Sequence, residues 1–256
     1  GVRLVGSEMC IRDSDNESKE LGNWYVGQKQ GEIWGYETYG LFQSEQEIAG
    51  AANQDKVSGG IKLMPGDIRF VDRNNDGVID WGDNTVDNPG DKKIIGNSTP
   101  RYHYGINLGA DWKGFDLGIF FQGVGKRDLY LPGTSFRSHY GSEWQVPSAY
   151  NNDYWTEENT GAYFPRARFN GGSAINQAQT RYMVDASYCR LKSVSIGYTL
   201  PKVLTQKASI EKIRIYFTGE NLFTISDTPD GLDPELDNPY TYPMQRSLSV
   251  GLSLTF

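Results

Sequence analysis

The sequence predicts an all-β chain whose antiparallel strands belong to a transmembrane β-barrel with long outer loops. Three observations predict it. Several stretches alternate apolar residues with small or polar ones at period 2, which sends successive side chains to opposite faces of a sheet. The connections between those stretches alternate short and long, as turns and loops do on the two sides of a membrane barrel. The composition is rich in aromatics and glycine, with 30 Gly, 16 Tyr, 11 Phe and 6 Trp in 256 residues, yet no apolar run approaches the ~20 residues of a membrane helix. A mean hydropathy of -0.56 suits strands that are half polar by construction.

Taken in order, the first strand candidate is "GEIWGYETYGLF" (31–42), which is aromatic but less regular than the rest. "RYHYGINLGA" (101–110) alternates Tyr102, Tyr104, Ile106, Leu108 and Ala110. "DWKG" (111–114) reads as a tight turn, and "FDLGIFFQG" (115–123) then alternates Phe115, Leu117, Ile119 and Phe121. The two make a hairpin with Ile106, Leu108, Leu117, Ile119 and Phe121 on one face. "CRLKSVSIGYTL" (189–200) puts Val194, Ile196, Tyr198 and Leu200 together, and "KIRIYFTGENLF" (212–223) alternates Ile213, Ile215 and Phe217. The closing strand, 246–256, alternates Leu248, Val250, Leu252, Leu254 and Phe256 with Ser, Gly and Thr. The opposite faces carry His103, Asn107, Asp116, Lys192, Ser195, Arg214 and Thr218.

The gaps are short at 111–114, very long at 124–187, short at 201–211 and longer at 224–245. A structureless loop of some 60 residues is out of place in a compact soluble domain. A soluble sandwich would show the same alternation with shorter strands and turns every ~8–12 residues. The net charge of -7 argues against non-specific nucleic-acid binding. Two cysteines, Cys10 and Cys189, are too few to assign a compartment. Residues 1–14, "GVRLVGSEMCIRDS", have no period and no signal-peptide pattern. They resemble read-through of sequencing-adapter DNA and are set apart from the fold, leaving 15–256 as a fragment of a longer chain.

The motifs "VGQKQGEIWGYETYGLFQSEQEI", "PGDIRFVDRNNDGVID", "IIGNSTPRYHYGINLGADWKGFDLGIFFQGV", "DYWTEEN", "ASYCRLKSVSIGYTLPK", "IRIYFTGENLFTIS", "GLDPE" and the terminal strand follow one another in fixed order. In that order they resemble the C-terminal part of SusC/RagA-type TonB-dependent transporters of Bacteroidetes, over residues from about 21 to 256. The resemblance implies the C-terminal part of a 22-stranded antiparallel transmembrane β-barrel in the outer membrane, with a plug in its lumen. It implies import of glycans or peptides, a SusD-like surface lipoprotein as lid, and energy from the TonB complex. The plug, the TonB box and most strands are missing here, so the fragment is an incomplete barrel. The resemblance also makes Phe256 part of the signal read by the assembly machinery. With a periplasmic C-terminus, 43–100 and 124–187 become extracellular. Tyr102 and Tyr104 then lie near the outer interface, Trp112 and Tyr198 near the inner one.

"DRNNDGVIDWGD" carries the sharpest local pattern. Asp72, Asn74, Asp76, the carbonyl of Val78, Asp80 and Asp83 stand at positions 1, 3, 5, 7, 9 and 12 of a calcium loop, with Gly77 at position 6. Oxygen ligands at this spacing suit a hard cation. The shorter Asp at position 12 and the lack of flanking helices leave an Asx-rich turn as the other reading. No cofactor is required by any motif beyond this candidate Ca2+. In 124–187, Tyr140, Trp144, Tyr154 and Trp155 stand among charged residues. Such rings stack on sugars, meet a lid protein, or pack the loops together.

Nothing points to catalysis. His103 and His139 have no Ser/Asp partner set, no carboxylate pair is marked out, and "GNSTPRYHYG" lacks the Gly-Lys-Ser/Thr ending of a phosphate loop. Two other classes remain open at this stage. One is a soluble extracellular carbohydrate-binding β-sandwich with a calcium loop. The other is a passive porin or adhesive barrel without TonB coupling.

Overall fold

The computed structural model describes residues 16–131, 153–168, 172–205, 210–229, 232–236, 242 and 244–256. The chain divides into two compact units, Gly1–Thr99 with Leu129–Met183, and Pro100–Asp128 with Val184–Phe256.

The second unit is built on one five-stranded antiparallel sheet. Its strands are β5 (Tyr102–Trp112), β6 (Phe115–Gly125), β9 (Tyr188–Thr199), β10 (Lys212–Ser226) and β11 (Ser247–Thr255), side by side in chain order. A short helix, α3 (Lys202–Thr205), lies between β9 and β10. The expected hairpin forms, with strands longer than the alternation suggested. Asp111 and Trp112 join β5, and the turn narrows to Lys113 and Gly114. Both turn residues have positive φ, 47° and 89°, as a two-residue hairpin loop matched to strand twist requires.

Register explains how the faces line up. Leu108 sits opposite Ile119, which sits opposite Val194; Leu117, Ile196, Phe217 and Val250 form a second row, and Phe115, Tyr198, Ile215 and Leu252 a third. Residues directly opposite share a face, so the apolar rows run unbroken across the sheet. The rows on the other face hold Asn107, Asp116, Ser195, Arg214, Thr218, Ser249 and Ser253. Lys192 stands on the polar face as expected, but not by alternation, which would put it and Arg190 with Val194. A bulge intervenes: Ser193 pairs with Phe120 and Leu191 with Phe121, leaving Lys192 unpaired. One extra residue inverts the phase, and Lys192 and Arg190 both reach the polar face.

The first unit is assembled from short pieces. β1 (Glu32–Tyr36) pairs with β4 (Lys92–Asn97), and β2 (Thr38–Leu41) with β3 (Ile68–Phe70). The 31–42 stretch is therefore not a barrel strand. It breaks at Glu37 into two strands with different partners, because Tyr36, Leu41 and Phe42 all turn inward and are buried. Helix α1 (Glu45–Ala49) starts at Ser44, whose Oγ accepts the Glu47 N–H at 3.3 Å, while the Glu47 carboxylate accepts the Gln43 N–H. Helix α2 (Asp55–Ser58) follows Gln54, which is fully buried. The Gln54 amide donates to Ile68 O and accepts from Phe70 N–H, completing the ladder of β3 on its open side. Strands β7 (Asp128–Tyr130) and β8 (Met183–Asp185) make a separate two-stranded sheet. Phe42, Val57, Ile68, Phe70, Ile79, Phe164, Ile175 and Tyr182 form the buried interior, with the Phe164 and Tyr182 rings stacked 6.1 Å apart.

Candidate functional site

The apolar face of the sheet is open. Leu108 is 53% exposed, Ile215 48%, Val250 79% and Leu252 59%. Burying any one such side chain is worth about 1.5–3 kcal/mol. A continuous apolar face on this scale needs an apolar neighbour. A sandwich would bury it against a second sheet, and among the described residues none covers it, so the exposure does not favour the soluble-sandwich reading. Aromatics stand at both ends of the face. Trp112, Phe115 and Tyr198 cluster near the Lys113–Gly114 turn, with the Phe115 and Tyr198 rings 4.5 Å apart. Tyr102 and Tyr104 stand at the opposite end of β5. That is the distribution of a lipid-embedded wall.

The polar face is chemically different. Asp116 and Arg214 form a bidentate ion pair that spans β9 from β6 to β10. It crosses directly over Gly197, where a Cβ would collide with Asp116 Oδ1 and the guanidinium. The guanidinium also lies 4.9 Å from the Tyr216 ring centroid. Small residues of β11 continue this face, which suits a wet lumen.

Within the first unit, a cavity of about 340 Å³ opens between Tyr39, Gln43, Glu47, Arg69, Thr160 and Arg181. Tyr39 is 71% exposed, and the Arg69 guanidinium lies 5.3 Å from its ring centroid. Arg181 is fixed by donating to Tyr163 O and Ala162 O, both at 2.6 Å. An open ring flanked by guanidinium, amide and carboxylate groups can stack on a flat ligand and hydrogen-bond its hydroxyl or peptide groups. Sequence reasoning missed Tyr39, Arg69 and Arg181, because three distant segments bring them together. Of the predicted contact residues, Tyr154 is partly exposed and Trp155 is buried. The Trp155 indole N–H donates to Gln43 Oε1 at 3.2 Å, and Arg166 lies 4.9 Å from its ring centroid. Trp155 thus packs the unit. Tyr140 and Trp144 fall outside the described residues.

The 72–83 loop is held by its own side chains. Asp72 accepts the N–H groups of Asn75 and Gly77, Asn74 that of Asp76, and Asp76 that of Val78. Main-chain bonds tie the loop to Asn53, through Gly77 O and Ile79 N–H. At its far end Asp80 binds Lys56 at 2.7 Å, and Asp83 accepts from the Asn88 amide. The Lys56 ammonium, with the Gly82 N–H, holds the Asp80 carboxyl below the usual carboxylate range. Buried Asp91 accepts the Arg73 and Asp80 N–H groups, and burial pushes its carboxyl up. Among the described residues, no three His, Cys, Asp or Glu side chains are gathered as a metal cluster. Phe256 follows β11 and is 83% exposed.

No family model matches the chain. Curated relatives do. The chain is 31% identical over 248 residues to a TonB-dependent receptor of Formosa agariphila, a match covering 90% of this chain and 22% of that receptor. It is 29% identical over 194 residues to the TonB-dependent receptor SusC of Bacteroides thetaiotaomicron, covering 73% of this chain and 17% of SusC. Among solved structures, the RagAB peptide importer in its open-open state aligns at a TM-score of 0.64 and 22% identity, over 91% of this chain and 23% of that chain. The RagAB peptide transporter aligns at 0.63 and 20% identity, over 89% of this chain and 23% of that chain. The chain therefore spans less than a quarter of the length of these relatives. The five-stranded sheet is a stretch of antiparallel transmembrane barrel wall.

Proposed function

We propose that this chain, which belongs to the SusC/RagA-type TonB-dependent receptors and forms part of an integral outer-membrane β-barrel, works within an importer of glycans or peptides. The observation that carries the proposal is the pair of faces on one sheet: apolar rows that need lipid, and a polar face of ion pairs and small residues that lines a lumen. A SusD-like surface lipoprotein is the partner we assign to the outer side, and the TonB complex the energy source, acting through regions beyond this chain. No catalytic step enters the proposal. The cavity around Tyr39, Arg69 and Arg181 is where this chain would meet substrate or lipoprotein. For the 72–83 loop we keep calcium as a ligand, because its oxygens already stand in the sequence order of a calcium loop.

The test uses the full-length receptor that contains this segment. In membrane fractionation it should enter the outer membrane and run as a compact species on gels until heated. A tagged receptor should co-purify a lipoprotein encoded beside it. Recovery in the soluble fraction would overturn the barrel assignment. Outer-membrane recovery with no uptake defect on deletion, on any glycan or peptide that supports growth, would leave a passive barrel and overturn the importer.

A further inference from the structure

The polar face of the sheet is not equally open along its length. At the end away from the Lys113–Gly114 turn, Val124, Tyr188 and Arg190 are buried, although Arg190 faces the same side as Asp116. What covers Arg190 is the turn Leu232–Leu236, from the connection between β10 and β11. The turn is locally well built. The Asp233 carboxylate accepts the Glu235 N–H at 3.0 Å, Leu236 N–H reaches Asp233 O, and Thr228 holds Leu232 O. Leu232 itself is buried.

Three cations grip this turn, Arg190 and Lys192 from β9 and Arg127 from just beyond β6. All three Arg190 nitrogens are used: Nη2 on Asp233 Oδ1 at 2.5 Å, Nη1 on Glu235 Oε2 at 2.7 Å, and Nε on Thr224 Oγ1 at 2.8 Å. Lys192 adds a second cation to Glu235, at 3.2 Å. Arg127 donates to Pro234 O at 3.0 Å. The Arg190 and Asp233 side chains are only 3% and 5% exposed. A buried pair of this kind persists because each carboxylate oxygen and each guanidinium nitrogen has a partner. Burial alone would raise the Asp233 carboxyl. The N–H groups of Glu235 and Met244 and the Arg190 guanidinium overrule it and hold the carboxyl below its ordinary range. The bulge at Lys192 makes the grip feasible, since without it both cations would face lipid.

We propose that the Leu232–Leu236 turn is folded back onto the lumen side of the barrel wall, narrowing the passage at that end, and that Arg190 is the residue that positions it. The proposal rests on the barrel reading. The turn acts as a fixed part of the wall that limits what can slide along the polar face beneath it.

The test is cysteine labelling of the full-length receptor in intact cells, in a Cys189→Ser background, with a bulky polyethylene-glycol maleimide. Gln122→Cys reports the space beside Arg190, since the two are register partners. Asn107→Cys reports the same face farther along, and Leu108→Cys reports the lipid face. Arg190→Met should speed labelling at Gln122→Cys at least tenfold and leave Asn107→Cys unchanged. Arg190→Lys should fall between. Equal labelling at Gln122→Cys with and without Arg190 would overturn the proposal. Leu108→Cys reacting as fast as Asn107→Cys would overturn the barrel reading instead. Should Arg190→Met fail to assemble, the unmutated receptor still decides. A carbodiimide should join Lys192 to Glu235 as a zero-length amide found by mass spectrometry, and its absence would reject the folded-back turn.

Discussion

The two units of this chain handle the same residue types in opposite ways. In the first, Tyr36, Phe42, Ile68 and Tyr182 are buried to within a few per cent. In the second, Leu, Ile, Val and Phe side chains stand open along most of one face. The first unit draws its stability from an interior of its own. The sheet draws its stability from strand pairing inside the protein and from lipid outside it. One chain thus contains two solvents' worth of design, and substitutions should separate them cleanly.

The largest effect should come from the interior. Phe42→Ala removes a fully buried ring and should destabilise the first unit by about 3–5 kcal/mol, whereas Leu108→Ala on the open face should cost less, because lipid refills the space and no cavity is left. Limited proteolysis of the full-length receptor would show rapid cleavage in the first variant only. Equal resistance in both would erase the contrast.

Next come charges on the two faces. Leu252→Arg should cost about 2–4 kcal/mol if that position lies near the bilayer midplane, and should lower the amount of assembled barrel. The polar-face control is best placed at Ser249, which sits opposite Thr218. Ser253 sits opposite Arg214, so an arginine there would meet a like charge. Ser249→Arg should assemble near normally. If the two arginines were tolerated alike, the assignment of lipid and lumen faces would fail.

A smaller effect is expected at Gly197. Gly197→Ala drives a methyl group into the Asp116–Arg214 pair and should cost about 1–3 kcal/mol, in the range of overpacked sites. The midpoint of the heat-dependent gel shift should fall. An added Asp116→Ala should recover part of the loss, because it removes one of the colliding groups.

The contrast also explains what the sequence disclosed. Period-2 alternation survives in β5, β6, β9, β10 and β11 because each strand has one apolar and one polar neighbour, so faces and neighbours could be read directly. The bulge that puts Lys192 and Arg190 on the polar face could not, since a bulge is a count of residues against a partner strand. The first unit left no period to read. Its interior comes from Phe42, Ile68, Trp155 and Tyr182, single residues of separate segments, and an aromatic outside any regular alternation looks the same whether it packs inward, as Trp155 does, or stands out, as Tyr39 does. The Asp/Asn spacing of 72–83 was legible, but Lys56, which competes for Asp80, lies in another segment.

That competition sets the smallest prediction. The loop already gives Asp72, Asn74 and Asp76 to its own N–H groups, so a cation would add to a folded loop rather than fold it. Asp80 would have to exchange an ammonium at 2.7 Å for the cation. Calcium should therefore bind weakly, toward the about 10⁻⁴–10⁻³ M range of extracellular modules. Lys56→Ala should tighten it by freeing Asp80. Asp72→Ala with Asp76→Ala should abolish it, since each removes a charged oxygen. Calorimetry on the full-length receptor reads all three variants. Heat that survives the double substitution would place the ion elsewhere. No heat at millimolar calcium, even with Lys56→Ala, would make the loop a turn closed by its own side chains, stabilised like the rest of the first unit from within.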